Sequence, residues 1–212
     1  SAVLSAGGIR QQFSLKENVQ MSMYGIDFVK NARGLLEVDG DDGGDDLQFQ
    51  ENGYLFLASS EAGKAALQRN HATQRECGVD WMELLTAEEL SARFPWLNTA
   101  DVTLGSLGTA NEGWFDPWAL LRGLRRKASA LGVRYVDGEP IAATRDGARV
   151  ATVDIRSADD TLRLSPRVVV NAAGAHARPA LECLAGGGSV APLPVSPRKR
   201  CIFYFRCPAV AP

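Results

Sequence analysis

Two short segments contain residue types that let a cofactor approach the backbone closely. Residues Ser5 to Arg10 are small and glycine-rich, expose backbone amides, and end in a cation. In the second segment, Val168 to Val170 predict a short buried strand, and small residues follow where it meets a helix. Ligands of α/β sheets bind at the carboxyl ends of strands, where small residues leave room. By itself, the second segment is equally compatible with a tight strand–helix junction that binds nothing.

The composition excludes several function classes. The chain has 212 residues, of which 45% are hydrophobic and 23% charged, as is ordinary for a globular protein. A net charge of −2 gives no electrostatic reason to expect nucleic acid or an anionic membrane surface as a partner. No apolar run approaches the roughly 20 residues that span a bilayer. We therefore expect no nucleic-acid partner and no membrane span.

The cysteines and acidic residues do not have the spacing of a metal site. The four cysteines lack a C-x-x-C pair and a nearby histidine cluster, so the sequence predicts reduced, buried or half-buried thiols and no zinc. Such thiols fit a reducing compartment, such as the cytosol or the mitochondrial matrix. The Gly/Asp run Asp39 to Asp46 lacks the alternating ligands and bidentate Glu of a calcium loop. No metal site is predicted.

The hydrophobic patterning predicts alternating helices and strands. The predicted helices are Glu17 to Leu36, Glu61 to Cys77, a short one opened by the capping box Thr86 to Glu89, Asp116 to Gly132, and Ala175 to Ala185. The predicted strands are a hairpin within Leu47 to Ala58 turning at Asn52-Gly53, Val102 to Thr109, Val133 to Val136, a hairpin of Val150 to Arg156 with Thr161 to Leu164, Val168 to Val170, and Cys201 to Arg206.

Several single residues have an ordinary structural interpretation. His71 lies on a polar helix and is expected to be solvated, and His176 is expected to be a helix-start residue and not a catalytic base. The four tryptophans are expected in the core more than on an interface. The cations from Arg122 to Lys127 are explained by a position toward a helix C-terminus, where positive charge is favourable.

The two ends of the sequence indicate an internal piece of a longer protein. The amide-rich segment at Ser5 follows no strand, and the chain stops soon after the predicted strand Cys201 to Arg206. A strand without a neighbour leaves its backbone N–H and C=O groups open, which folded domains avoid.

Six motifs, in this order, resemble those of the D-amino-acid oxidase-like FAD-dependent oxidoreductases. They are Ser5 to Arg10, Gly53 to Leu55, Leu85 to Leu90 with Phe94-Pro95, Glu112 to Pro117, Gly132-Val133, and Val169 to Ala175. Each is unspecific alone, but together they extend over almost the whole chain. Within the family, the chain is similar to a mitochondrial branch associated with assembly of respiratory complex I.

The resemblance implies the architecture. It is an α/β fold in which a Rossmann-type FAD-binding domain is interleaved with an antiparallel-sheet α+β substrate domain, truncated at both ends. Residues 1–36 and 114–190 would belong to the FAD-binding domain, and residues 37–113 and 191–212 to the substrate domain. The family's G-x-G-x-x-G, which seats the FAD pyrophosphate on a helix N-terminus, would lie upstream of Ser1.

The resemblance also implies FAD as the cofactor and assigns the residues around it. The cofactor-binding residues would be Ser5, Ala6, Gly7, Gly8, Ile9, Arg10, Pro140, Ala172, Ala173 and Gly174. Arg10 would be the catalytic residue, a cation that stabilises the negative charge of reduced flavin. The reaction would remove a hydride from a carbon next to the nitrogen of a small amine or amino-acid substrate.

Three departures from the family pattern leave two functions open. Ala6 and Phe13 stand where oxidase members carry a histidine and a second arginine, and Pro140 has no N–H for the adenine side. The first hypothesis is an amine or amino-acid oxidoreductase of the mitochondrial matrix. The alternative is an FAD-binding assembly factor with little or no turnover, whose partners would be subunits of respiratory complex I. A fragment with no cofactor function is the third reading.

Overall fold

A computed structural model describes residues 5–40, 46–158, 160–199 and 201–203. These residues form two compact units that divide between Val133 and Arg134. The interleaved domain boundaries at residues 36, 113 and 190 stay predictions.

The first unit alternates short strands with helices. In chain order its elements are β1 (Gly8–Ile9), α1 (Lys16–Leu35), β2 (Tyr54–Ala58), α2 (Glu61–Glu76), β3 (Met82–Leu85), α3 (Ala87–Arg93), β4 (Leu104–Gly108), β5 (Gly113–Trp114) and α4 (Pro117–Ala130). Strand β4 is the centre of an antiparallel sheet of order β2-β4-β3, and all five of its residues are buried. The pair β1-β5 forms a separate two-stranded ladder.

Helix α1 forms because its apolar residues recur every three or four positions, as the sequence predicts. Its buried face includes Ile26, Val29 and Ala32, which pack in one cluster with Leu36, Leu47 and Ala119. Val19, two turns before Ile26, packs with Val79 and Met82 in a second cluster. The two clusters hold α1 against the rest of the unit.

The predicted helix starts at Thr86 and Asp116 are confirmed. Thr86 accepts a hydrogen bond from Glu89 N (3.2 Å), and the Glu89 side chain accepts one from Thr86 N (2.7 Å), which completes the capping box. Asp116 Oδ1 accepts from Trp118 N (2.8 Å) and Ala119 N (3.2 Å) at the start of α4. Asp116 thus marks the start of α4, and only Phe115 separates it from β5.

The second unit contains an antiparallel sheet of three strands in the order β6-β7-β8. The strands are β6 (Glu139–Asp146), β7 (Arg149–Arg156) and β8 (Thr161–Leu164), and helix α5 (Ala177–Leu184) follows a short 3₁₀ turn at Gly174–His176. The hairpin of β7 and β8 is confirmed, and β6 is a strand that the sequence did not predict. Arg163 and Asp154 form a two-pronged ion pair across β7 and β8 at 2.6 and 2.8 Å.

Three of the predicted strands are wrong, because the backbone either pairs with another segment or forms no ladder among the described residues. Residues Leu47 to Gln50 do not form a hairpin with β2, since Gln50 exchanges hydrogen bonds with Trp114 at 2.7 and 3.1 Å. Val133 to Val136 and Val168 to Val170 have no ladder partner among the described residues. A strand exists only through its neighbour, and Val168 and Val170 are about 80% exposed (79% and 82%). Cys201 to Phe203 also form no strand, and the rest of that predicted strand lies outside the described residues.

Other single-residue predictions are corrected too. Trp96, Trp114 and Trp118 are exposed, not core residues, and Trp81 is half-buried. His71 is half-buried on α2, with Nε2 at 3.2 Å from the carbonyl of Met82. Cys77 and Cys183 are half-buried free thiols as expected, whereas the free thiol of Cys201 is exposed; Cys207 lies outside the described residues.

Candidate functional site

The segment after Ser5 is held by its pairing with the segment that precedes α4. Strand β1 pairs antiparallel with β5, with Gly8 opposite Trp114. Gly7 has a positive φ of 61°, and a Cβ there would overlap the carbonyl oxygen of Phe115. Phe115 N in turn donates to the Gly7 carbonyl at 3.0 Å. Only glycine therefore fits at position 7 without moving the chain.

The same segment leaves part of its surface open. Ser5, Ala6 and Gly8 are exposed, whereas Gly7 is buried against Phe115. The hydroxyl of Ser5 accepts a hydrogen bond from Gly7 N at 3.1 Å, which shapes the turn. The exposed small residues are thus carried on a backbone fixed from one side. Their contact with a cofactor stays a prediction.

Arg10 follows β1, and its guanidinium lies among three aromatic rings. The Cζ atom is 4.8 Å from the ring centre of Phe13, 5.3 Å from that of Tyr54 and 5.4 Å from that of Phe56. Tyr54 and Phe56 are two residues apart on β2, so they share one face of the strand and stack on each other. Cation–π attraction holds the guanidinium in this place.

The backbone and side chain of Arg10 have different environments. Its carbonyl accepts a hydrogen bond from the hydroxyl of Ser22 on α1. Its Nε is buried and has no hydrogen-bond acceptor among the described residues. Arg10 also lines a cleft of about 370 Å³ with Ile9, Asn18 and Met21. A buried donor without an acceptor, on a cation beside a cleft, is an arrangement that a ligand with acceptor atoms would complete.

Glu112, a buried carboxylate that was not predicted as a site residue, binds the two residues that follow Arg10. Glu112 is fully buried, and its Oε1 accepts from Gln11 N at 2.6 Å. Its Oε2 accepts from Gln12 Nε2 at 2.8 Å. The two residues that follow Arg10 are therefore both bonded to one carboxylate.

Gln12 extends this network to the central sheet. The same Nε2 that donates to Glu112 also donates to the carbonyl of Tyr54 at 2.8 Å. Its Oε1 accepts from the hydroxyl of Ser106 on β4 at 2.7 Å. Gln12 thus joins the Arg10 segment to both β2 and β4.

Burial raises the pKa of Glu112 above its ordinary value. Hydrogen bonds from the Gln12 side chain, and from the backbones of Gln11 and Gln12, oppose that rise, as does the positive charge of Arg10. The donors around the carboxyl favour its ionised form, since every hydrogen bond described to it comes from an N–H group.

The remaining predicted site residues lie in the second unit. Pro140 is exposed on β6, and its carbonyl accepts from the thiol of Cys183 at 3.4 Å. Ala172, Ala173 and Gly174 form an exposed turn before α5, in which Gly174 has a positive φ of 55°. The side chain of Asn171 closes this turn by accepting from Ala173 N (3.2 Å) and donating to the carbonyl of Ala177 (2.7 Å).

Of the predicted cofactor-binding residues, Ser5 to Arg10 lie in the first unit, whereas Pro140 and Ala172 to Gly174 lie in the second. The residues that the sequence missed are the ones that hold Arg10 in place: Gln11, Gln12, Tyr54, Phe56, Ser106 and Glu112. Glu112 opens one of the six motifs, but a sequence pattern contains no signal that an acid between Asn111 and Gly113 is buried. Within the described residues, no cluster of three or more His, Cys, Asp or Glu is placed to hold a metal ion.

The sequence match to known proteins decides the family. A family model described as DAO, FAD dependent oxidoreductase, matches residues 3–211. The chain belongs to this FAD-dependent oxidoreductase family. FAD is the family's cofactor.

Relatives within the family cover nearly all of this chain. It is 43% identical over 230 residues to FAD-dependent oxidoreductase domain-containing protein 1 of Bos taurus, covering 98% of this chain and 46% of that protein. It is 40% identical over 232 residues to the Xenopus laevis protein of that name, covering 98% of this chain and 45% of that protein. The chain therefore spans about half the length of these relatives.

Solved structures show the same fold. L-Proline dehydrogenase from P. horikoshii superposes with a TM-score of 0.72 at 24% identity, over 91% of this chain and 47% of that one. Glycine oxidase from Geobacillus kaustophilus superposes with a TM-score of 0.61 at 21% identity, over 85% and 46%. The predicted α/β fold class of a D-amino-acid oxidase-like protein is confirmed.

The residues of the first unit fit a flavin of this family. The exposed residues Ser5, Ala6 and Gly8 would face the cofactor, and the Arg10 guanidinium would supply a positive charge beside it. The unpaired Nε of Arg10 and the adjoining cleft are the structural observations in favour. When bound, FAD supplies the hydride acceptor, while the protein supplies position and charge.

Among the described helices, none combines the length and apolar character needed to cross a bilayer.

Proposed function

We propose that this chain is part of an FAD-dependent oxidoreductase that acts on a C–N bond of a small amine or amino acid in the mitochondrial matrix. The observation that carries the proposal is Arg10, a cation with an unpaired buried donor beside a cleft. A fixed cation next to a flavin stabilises the negative charge that develops on reduction. The names of the structural neighbours, a proline dehydrogenase and a glycine oxidase, support chemistry on amines.

A second function rests on Phe13. The Phe13 ring packs on the Arg10 guanidinium and against the cluster of Val19, Val79 and Met82. An arginine at this position would supply a bidentate partner for a substrate carboxylate, and phenylalanine cannot. This observation favours little or no turnover of amino acids. The second function that we propose is therefore an FAD-binding assembly factor for respiratory complex I, with complex I subunits as partners.

Anaerobic mixing of the purified full-length protein with candidate amines separates the two functions. We expect the protein to contain FAD and show a flavin spectrum. Sarcosine, glycine and D-amino acids should reduce that flavin weakly or not at all, because Phe13 replaces the second cation. Amines without a carboxylate, such as dimethylamine or pyrrolidine, should be tested beside them as the matched set. Rapid bleaching by any of the three carboxylate substrates would reject the assembly factor as the main role.

The cofactor part of the proposal has its own test. Apoprotein prepared from the full-length protein should recover the flavin spectrum when titrated with FAD. A full-length protein that remains colourless and binds no FAD in that titration would contradict both functions. If the protein does bind FAD, the choice between the two functions rests on turnover alone.

A further inference from the structure

We propose that Glu112 is a positioning residue that holds the Arg10 guanidinium in its place at the flavin. The inference rests on the proposed placement of Arg10 beside FAD. Glu112 has no contact with the cleft in the described structure; it acts through Gln11 and Gln12, the two residues that follow Arg10.

The Glu112 carboxylate holds the backbone next to Arg10. Gln11 N donates to Glu112 Oε1 at 2.6 Å, in a site where both residues are fully buried. A buried N–H without an acceptor costs about 1–3 kcal/mol, so the backbone at Gln11 stays on the carboxylate. Arg10 is its immediate neighbour, and the Arg10 carbonyl is held from the other side by the Ser22 hydroxyl.

Gln12 links the same carboxylate to the strand that carries two of the aromatic rings around the guanidinium. Gln12 Nε2 is shared between Glu112 Oε2 and the carbonyl of Tyr54, both at 2.8 Å. Tyr54 is also one of the rings over Arg10 Cζ. The carboxylate therefore fixes the cation's backbone and the strand that carries its aromatic neighbours at the same time.

The Glu112 carboxylate fills a space that Gly108 leaves open. A Cβ on Gly108 would overlap Glu112 Oε2, so glycine at the end of β4 makes the space that the carboxylate fills. Glu112, Gly108 and the side-chain amide of Gln12 therefore lie together next to the segment that carries Arg10. Burying a carboxylate costs free energy, so a gain in stability does not explain Glu112. Holding a functional cation, Arg10, in a fixed geometry does explain it.

The sign of the change in flavin potential separates positioning from a simple charge effect. Removing a negative charge near the flavin makes its surroundings more positive, which raises the potential. Displacing Arg10 takes a positive charge away, which lowers it. The isosteric Glu112→Gln exchange removes the charge and turns one acceptor atom into a donor facing Gln11 N or Gln12 Nε2. If Glu112 positions Arg10, the potential falls.

The experiment measures the flavin midpoint potential of the full-length holoprotein and four variants. We expect Glu112→Gln and Arg10→Ala each to lower it, and the double variant to lie no lower than Arg10→Ala alone, because the guanidinium that Glu112 holds is already absent there. A tenfold change in the ratio of the two flavin states corresponds to about 30 mV for two electrons. The control is Glu51→Gln, which removes another carboxylate that accepts a backbone N–H, from Asn111 at 2.6 Å, and should leave the potential unchanged.

Each other outcome has one meaning. If Arg10→Ala lowers the potential and Glu112→Gln leaves it unchanged or raises it, the positioning role is overturned and the placement of Arg10 stands. If Arg10→Ala changes nothing, the placement of Arg10 fails, and this inference with it. An equal shift in Glu51→Gln would assign the effect to general loosening and overturn the role. If Glu112→Gln binds no flavin, Gln12→Leu is measured instead, and an unchanged potential there overturns the role.

Discussion

Gly108 lies directly against the carboxylate of Glu112, so closely that a Cβ on the glycine would overlap Glu112 Oε2. The two residues are at opposite ends of the short loop from β4 to β5. Their contact sets how near the carboxylate comes to Gln11 and Gln12, and through them where Arg10 is held.

Replacing Gly108 with alanine should destabilise the protein by about 1–3 kcal/mol, as overpacking of a buried site does. The alanine methyl group has to displace the Glu112 carboxylate or the backbone of β4. The matched control is Gly34→Ala on α1, where nothing lies within 4 Å of the new Cβ. That exchange should stabilise by about 0.5–1 kcal/mol, because alanine favours a helix over glycine. Thermal unfolding of the full-length variants checks both signs, and equal effects at the two positions would refute the packing argument.

Removing the Asp116 side chain should cost about 0.5–2 kcal/mol of stability, the usual cost of losing a helix N-cap. Its carboxylate accepts from Trp118 N and Ala119 N, the first free donors of α4. Asp27→Ala, an exposed position in the middle of α1, provides the comparison and should change stability little. If denaturant titrations give the two variants the same free energy of unfolding, the Asp116 side chain does not stabilise α4 as an N-cap.

The pH dependence of stability should carry the signature of Glu112. Its pKa is raised in the folded protein, so the folded state binds this proton more tightly than the unfolded one. The stability that this contributes is complete below the unfolded value of about 4.5 and is lost as the pH rises through the folded pKa. The stability of wild type relative to Glu112→Gln should therefore decrease as the pH rises from about 4.5 through the folded pKa of Glu112, and then level off. Unfolding midpoints across that range test this, and a relative stability that grows with pH would contradict the raised pKa.

The parts of the fold that follow local rules were predictable from the sequence. Helices α1 and α4 have apolar residues at helical spacing, and Asp116 and Thr86 mark helix starts by capping chemistry that acts over three residues. The wrong strands fail for a non-local reason. Val168 to Val170 have the composition of a buried strand, but pairing depends on a neighbour that the local pattern does not contain.

Only part of the candidate site could be predicted from the sequence. Gly7 and Arg10 were identified by a motif, and the structure explains Gly7 by its positive φ and its contact with Phe115. Glu112 and Gln12 were not identified as site residues, because their function depends on burial and on contacts about 100 residues away along the chain. The pairing of β1 with β5 brings the carboxylate of Glu112 and the amide of Gln12 together, and no local sequence pattern contains that pairing.

The measurement that tests the central claim most directly is the flavin midpoint potential of the full-length protein with Arg10→Ala. Loss of one charge-assisted contact of about 1.5–3 kcal/mol should lower the potential by roughly 30–60 mV for a two-electron couple, and slow flavin reduction. Arg93→Ala, which removes an exposed arginine paired with Glu83, is the matched control and should leave the potential as it is. An Arg10→Ala protein that binds FAD with the wild-type potential and reduction rate would contradict the claim that Arg10 lies at the flavin.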